Sequence, residues 1–451
     1  MKNIFKNRIP KTAGWLIPGL EIKRWFALIF FGALLIIAGI LTLSDPVQVY
    51  HYLIDIKTSI NADVVAAIAI VLGAICFFKG WQRTNLSMLD IHSEKEKENV
   101  LETLYKRKKL NKGPRVVAIG GGTGLSMLLR GLKKITNNIT AIVTVGDDGG
   151  SSGRLREEMG VLPPGDIRNC IAALADDEDL FTKLFQYRFD MGEGLKGHSF
   201  GNLFLTALCA ITGNLVGAIK ESSNVLCIRG RVLPATLDDM KLAAEMEDGR
   251  IIHGESSIPE AKGKIKRLFT EPADCKALPE ALDAIKNADL IVMGPGSLYT
   301  SVIPNLLVKE IAQAVAKAKA KKIYVCNIMT QPGETDNYSV SSHVNAILTH
   351  AGSKDVLDAV LVNNNIPKNI SPAYAKHNSF PVVLDNENLT PTGVKLVSAN
   401  LLEEDKCKDG LVRHSSSRVA RAVYIWYRKT IKKEQRKRWF RRLFGKNKNN
   451  K

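Results

Sequence analysis

The 451-residue sequence predicts an α/β protein: a Rossmann-like, doubly wound, mostly parallel sheet preceded by two transmembrane helices. Three observations carry that prediction. Residues 115–156 read as strand, glycine turn, helix, strand and then an acid-and-glycine loop. Residues 288–293 (ADLIVM) are a continuous apolar run, the pattern of a parallel strand buried on both faces, and they end in a second glycine-rich loop. The third is a pair of uncharged stretches near the N-terminus, 25–43 and 64–78.

The chain divides into a basic cytoplasmic N-terminus (1–24), a membrane hairpin (25–81), a charged juxtamembrane linker (82–113), the Rossmann-like domain (114–400) and a basic amphipathic tail (401–451). Residues 25–43 are nineteen residues long without a charge, about what a helix needs to cross a ~30 Å hydrocarbon core. Lys23, Arg24, Lys79 and Arg83 flank the outer ends of the hairpin, while its loop sets Lys57 against Asp45, Asp55 and Asp63. The positive-inside rule then makes this a two-helix protein of the cell membrane, with both termini and the main domain cytoplasmic. The apolar run begins too late and runs too long for a cleaved signal peptide.

Within the domain, residues 115–119 form the first strand and Gly120, Gly121, Gly122, Thr123 and Gly124 the turn. Leu125, Met127, Leu128, Leu129 and Leu132 follow at helical spacing. Glycines here let backbone N–H groups approach an anion at the helix N-terminus, although such a turn also serves simply to pack helix on strand. The second strand, 139–145, runs into Gly146-Asp147-Asp148-Gly149-Gly150-Ser151-Ser152-Gly153-Arg154. So much glycine beside paired aspartates costs conformational entropy and buries little, which favours a ligand or metal there.

Prolines stiffen the next polar loop, 162–169, which sets Asp166, Arg168 and Asn169 near a helix start; Asp166 serves equally as an N-cap on local grounds. Helices are expected over 172–189 and 203–218, the second preceded by His198 and Asn202 in a glycine-bounded loop. Strands at 225–232, 251–252 and 264–269 make a less regular β region. After the helix 279–287 and the strand 288–293 comes Gly294-Pro295-Gly296-Ser297-Leu298-Tyr299-Thr300-Ser301, a second candidate phosphate cradle. Helix 308–319, strand 322–325, polar exit 327–336, helix 340–351 and strand 355–362 complete the alternation. Polar loops repeatedly set before helices point to a ligand crevice along the carboxyl ends of the strands.

The charge of +18 lies at the ends: residues 1–24 carry six Lys/Arg against Glu21, and residues 418–451 fourteen against Glu434, leaving the body neutral. Nucleic acid is therefore not the expected partner. The tail interleaves Trp439, Phe440, Leu443 and Phe444 with its cations, which suits an interfacial helix on anionic lipid; RNA binding and a solvated tail are the rival readings. Seven cysteines without CxxC fit a reducing compartment, and eight histidines without HxxxH or HExxH argue against a zinc enzyme.

Taken together, RVVAIGGGTGLS, VTVGDDGGSSGRLR, PPGDIRN, GHSFGNL, MGPGSLYTSVIPNLL and NIMTQPGETDNYS resemble the gluconeogenesis-factor (YvcK-type) family, itself related to CofD-type 2-phospho-L-lactate transferases. The resemblance covers about residues 114–400. It implies a Rossmann-like domain that binds a nucleotide diphosphate compound, a UDP-sugar such as UDP-N-acetylglucosamine or a GDP-type ligand. It also implies links to gluconeogenic growth and to cell shape through peptidoglycan synthesis, with cell-wall synthesis proteins as partners and a homo-oligomer left open. Gly120–Gly124 and Gly294, Pro295, Gly296, Ser297, Thr300 and Ser301 would wrap the phosphates and adjoining groups. Arg168, Asn169, His198 and Asn202 would contact the rest of the ligand. Asp166 matches the carboxylate that transferase relatives keep for acceptor or metal, and Asp147 and Asp148 are the other acids a catalyst would use. Asp166 and Asp147 beside a diphosphate fit Mg²⁺, which takes few protein ligands plus substrate oxygens. Arg154 and Arg156 depart from the uncharged acceptor pocket a deazaflavin would need. Two functions follow from the resemblance: a membrane-tethered nucleotide-sugar sensor, or a Mg²⁺-dependent 2-phospho-L-lactate transferase-type enzyme.

Overall fold

A computed structural model describes residues 108–444, apart from residue 177 and residues 366–370 and 404–411. The expected transmembrane hairpin, the N-terminal segment and most of the linker lie outside the described residues. Among the described residues no single helix is long and apolar enough to cross a membrane.

Seven strands form one parallel sheet in the order β10-β9-β8-β7-β1-β2-β3. They are β1 (Val116–Gly120), β2 (Ile139–Val143), β3 (Arg231–Pro234), β7 (Leu290–Met293), β8 (Lys321–Val325), β9 (Ala359–Asn363) and β10 (Lys395–Ala399). The central strands β1, β2 and β7 are buried at every position, which is why they read as unbroken apolar runs rather than alternations. Register is set by Val116 opposite both Ile139 and Leu290. From β1 the chain winds outward to β2 and β3, then returns to the other side of β1 with β7 and winds the opposite way. The reversal lies between β1 and β7, and in such sheets the crevice outside the carboxyl ends at that point is where ligands bind.

A separate antiparallel sheet, β5 (Ile251–His253), β4 (Lys241–Met246) and β6 (Ile265–Glu271), is the irregular β region. Its loop after β5 reaches the acid loop described below.

The first helix, α1 (Gly122–Leu132), follows the glycine turn. The acid-and-glycine loop is shorter than expected, because Gly150–Met159 is itself a helix, α2. The single helix expected over 172–189 is two, α3 (Gly165–Leu174) and α4 (Glu178–Gln186). The break has a cause: Arg229 N–H donates to the Leu174 carbonyl (2.9 Å) and Lys133 Nζ to that of Ala175 (2.9 Å), taking the acceptors a continuing helix would use. Likewise 203–218 becomes α5 (Phe200–Thr212) and α6 (Leu215–Val225), bent by 117°. Gly213 ends α5 in the left-handed region (φ 81°), and the Asn214 side chain caps Gly217 N–H at 2.7 Å to start α6. The strand expected at 225–232 is therefore helix to Val225 and strand only from Arg231. Short α7 (Ser257–Glu260) and α8 (Pro279–Lys286) precede β7. A π-helical turn, Leu298–Val302, then leads into α9 (Ile303–Leu307), α10 (Lys309–Lys317) and, after β8, α11 (Val340–Ala351). The α12 (Pro372–Lys376) and α13 (Asn386–Leu389) helices are short connectors.

The last helix, α14 (Ser416–Phe444), is more than a tail. Val419, Ala420 and Val423 are buried in the main core, and Lys321 Nζ reaches Glu434 at 2.5 Å. Its close approach to α1 needs Gly131, where an added Cβ would lie 2.0 Å from the Ser416 carbonyl oxygen and 2.7 Å from Ala420 Cβ. Gly131→Leu should therefore lower stability by about 3 kcal/mol and free α14, read as a lower thermal midpoint and faster proteolysis after residue 416.

Candidate functional site

The crevice is built from helix N-termini that lack side-chain caps. α1 is preceded by Gly121, α2 by Gly149 and α3 by Pro164, and none of these cap residues has a side chain that hydrogen-bonds to the first turn. By contrast α5, α6 and α11 are capped by Ser199, Asn214 and Ser339. Uncapped first turns leave donors and the positive end of the dipole for something else.

At α1 part of that role falls to Asp166, which accepts a hydrogen bond from Gly122 N–H. A Cβ on Gly121 would lie 2.4 Å from Asp166 Oδ2 and 2.9 Å from Thr144, so only glycine lets the turn and this carboxylate touch. Gly122 takes φ 61°, with Ser301 Oγ 3.7 Å from where its Cβ would stand. Gly124 faces the second loop directly: its Cβ would be 2.3 Å from the Pro295 carbonyl oxygen. Thus the two glycine loops named from sequence meet, backbone to backbone, at the reversal of the sheet. Thr123 is exposed beside them.

The second loop is held from behind by residues that sequence reasoning missed. Asn327 Nδ2 donates to the Gly296 carbonyl (2.9 Å), and Gln331 Nε2 to Ser297 Oγ (2.7 Å). Glu334 accepts from Tyr299 N–H and from Thr300 Oγ1, both at 3.2 Å, so it caps the π-helical turn. Asn305 Nδ2 donates to the Gly120 carbonyl (3.2 Å), tying α9 to the first loop. Single-turn π segments recur at functional sites.

The acids divide by role. Asp148 is committed to structure: its two oxygens accept the backbone N–H groups of Ser256 (2.9 Å) and Glu255 (2.8 Å), fastening the antiparallel sheet to the acid loop. Asp147 caps Gly149 N–H (3.0 Å) and leaves Oδ2 about the site, 3.1 Å from where a Gly165 Cβ would stand. Asp166 is pushed up to about 6, first by burial and then by the charge of Asp147. Glu255, which no local signal marks, is pushed up to about 8 by burial and then by Asp147, Asp148, Glu334 and Asp166. Glu334 is raised by burial, against the hydrogen bonds it accepts from Tyr299 and Thr300. Such clustering is what a cation-binding or proton-transferring site produces. Among the described residues no three His, Cys, Asp or Glu side chains converge as a ready metal cage. Asp166 and Asp147 could supply the one or two protein oxygens that Mg²⁺ beside a diphosphate requires.

Beside the acids lies a polar cluster. Arg168 donates to Ser199 Oγ (2.5 Å) and Asn169 Oδ1 (2.9 Å), and its buried Nε has no partner. Ser151 Oγ lies 3.0 Å from His198 Nδ1 and accepts from Asn202 Nδ2 at 3.1 Å, while Asn202 Oδ1 is buried without a partner. His198 is held low by burial and by Arg154, so it stays neutral near pH 7. The buried orphan donor and acceptor are hydrogen-bonding capacity that a ligand could use. Of the two arginines expected in this pocket, Arg156 turns away to Asp239 (2.5 Å) and the Met240 carbonyl, and Arg154 binds the Lys196 carbonyl.

Three comparisons bear on this geometry. The family model for 2-phospho-L-lactate transferase CofD matches residues 116–402. The gluconeogenesis factor of Bacillus subtilis is 51% identical over 68% of this chain and 96% of its own. A relative from Nostoc sp. is 50% identical over 93% of this chain and 94% of its own, a span that must reach into the segment before residue 108. A crystal structure of a Bacillus halodurans protein superposes with a TM-score of 0.67 at 51% identity, covering 69% of this chain and 100% of that one.

Proposed function

Since this chain belongs to the gluconeogenesis-factor family, whose domain is that of CofD, we propose that it is a membrane-tethered regulator whose crevice binds a UDP-N-acetylglucosamine-like nucleotide sugar. The observation that carries the reading is the contact of Gly124 with Pro295, which joins two glycine loops into one backbone cradle at the sheet reversal. A diphosphate suits that cradle. Arg168, Asn169, His198 and Asn202 then face the sugar and base, and Mg²⁺ on Asp166 and Asp147 offsets the charge. The output is control of cell shape and peptidoglycan synthesis during gluconeogenic growth, through cell-wall synthesis proteins at the membrane.

The tether has two parts in this reading: the hairpin at 25–81 and the basic outer half of α14. Lys432, Lys433 and Arg436 are exposed on that helix, and each basic residue near an anionic surface is worth ~1 kcal/mol. Changing all three to Gln in residues 108–451 should weaken association with phosphatidylserine vesicles by more than about tenfold. Association that is equal for both proteins and insensitive to salt would remove the tail from the tether.

One observation favours a second reading, transfer of a phospholactyl group from a nucleotide diphosphate donor. Asp166 and Glu255, beside Asp147, hold their protons to about 6 and about 8, the kind of tuning a proton-transferring catalyst uses. A product assay with GDP- and UDP-linked donors and Mg²⁺ separates the two: product formation establishes the transferase, and tight binding with no product supports the regulator.

A further inference from the structure

A cavity of about 560 Å³ opens between β6, α9, α10 and the C-terminal end of α11, lined by neither glycine loop. Its size falls within the range of small-molecule sites. The charged side chains lining it are Arg267, Lys309 and Lys317, with no Asp or Glu among them. Glu245 pairs with Lys266 (2.6 Å) and stands across the strand pair from Arg267, whose charge it also feels, and Glu310 accepts Ala277 N–H (2.8 Å). Leu306 and Leu307 supply an apolar wall.

His350 on the same wall adds no charge. Its Nε2 accepts Leu268 N–H at 2.9 Å, so Nδ1 must carry the proton that bonds the Ala346 carbonyl at 2.7 Å, and burial lowers its pKa further. The positive charge of the lining therefore comes from Arg267 on β6 and from Lys309 and Lys317 at the two ends of α10, beside an apolar wall with a fixed neutral imidazole. Arg267 is also preset, its guanidinium 5.7 Å from the Phe269 ring centroid.

The geometry points to a second ligand site, separate from the nucleotide crevice, for a small organic phosphate. The phosphate would sit among Arg267, Lys309 and Lys317, and an apolar body would lie on Leu306 and Leu307. Guanidinium and ammonium donors give charge-assisted hydrogen bonds to phosphate, and the wall recovers the apolar area.

Phenyl phosphate is the probe, titrated calorimetrically into the full chain and compared with phenol and inorganic phosphate. Saturable binding of phenyl phosphate is expected, tighter than either fragment. Arg267→Ala/Lys309→Ala/Lys317→Ala should weaken it at least tenfold at an unchanged thermal midpoint. Gln313→Trp, which fills the cavity from an exposed position on α10, should abolish it. Phenyl phosphate bound in the nucleotide crevice would be indifferent to both variants, so equal affinity in all three proteins overturns the proposal. Absence of saturable binding in the parent chain overturns it as well.

Discussion

Replacing Gly124 with alanine should abolish nucleotide-sugar binding while leaving a folded domain. The added Cβ would lie 2.3 Å from the Pro295 carbonyl oxygen, 2.7 Å from its carbon and 2.8 Å from Gly296 Cα. All three are backbone atoms, so no rotamer change relieves the overlap; the loops must part. Separation by even half an ångström takes N–H donors out of hydrogen-bonding range of a shared diphosphate. A loss of at least ~100-fold in affinity is expected, equivalent to about 2.7 kcal/mol, with a stability cost of about 1–3 kcal/mol. Gly160→Ala is the control. Gly160 ends α2 in the left-handed region (φ 64°) with nothing within 4 Å. It should cost about 1 kcal/mol and leave binding unchanged. Parent-like affinity in the Gly124 variant would remove the joined cradle from the account.

The second large effect has opposite signs for stability and for binding. Asp166 and Glu255 hold their protons more tightly folded than unfolded, so ionising them destabilises the native chain. Stability is lost as pH rises from 3.8 to about 6 for Asp166, and from 4.5 to about 8 for Glu255. Asp166→Asn and Glu255→Gln should each raise the thermal midpoint at pH 8, on the order of 2–4 °C per kcal/mol relieved, and do little at pH 4. Mg²⁺-dependent ligand affinity should move the other way. In the parent it rises with pH through about 6 and again toward 8 as the two carboxyls lose their protons, and Asp166→Asn should lower it at least tenfold. A variant less stable than the parent at pH 8, or ligand affinity flat across that range, would contradict a cluster held under repulsion for a ligand's cation.

Much of this site was legible from sequence because glycine is informative beside a buried strand. Residues 120–124 and 294–301 each follow an unbroken apolar run, and the structure joins them where the sheet reverses. Asp166 also stood out, since prolines and glycine isolate it ahead of a helix, although no local feature distinguishes its actual contact with Gly122 from an ordinary cap. Glu255 and Glu334 were out of reach for a plain reason. Each is an acid in a polar stretch with no local mark, and its significance lies in neighbours about a hundred residues away (Asp148) or on another strand's exit loop (Tyr299, Thr300). The helix α2 was hidden by its own composition, with two glycines and two serines as its first four residues and only Leu155 fully apolar and buried on its inner face. Long apolar stretches were likewise overextended across 172–189 and 203–218, where Lys133, Arg229 and the Gly213-Asn214 pair end or restart the helices through contacts or dihedrals that periodicity does not register.

The most direct test of the central claim is calorimetry of residues 108–451 with UDP-N-acetylglucosamine in the presence and absence of Mg²⁺, followed by a product assay on the same samples. Saturable one-site binding is expected, strengthened by Mg²⁺, lost in Gly124→Ala, and accompanied by no product. Absence of UDP-N-acetylglucosamine binding, or turnover with a preference for a GDP-linked donor, would contradict it.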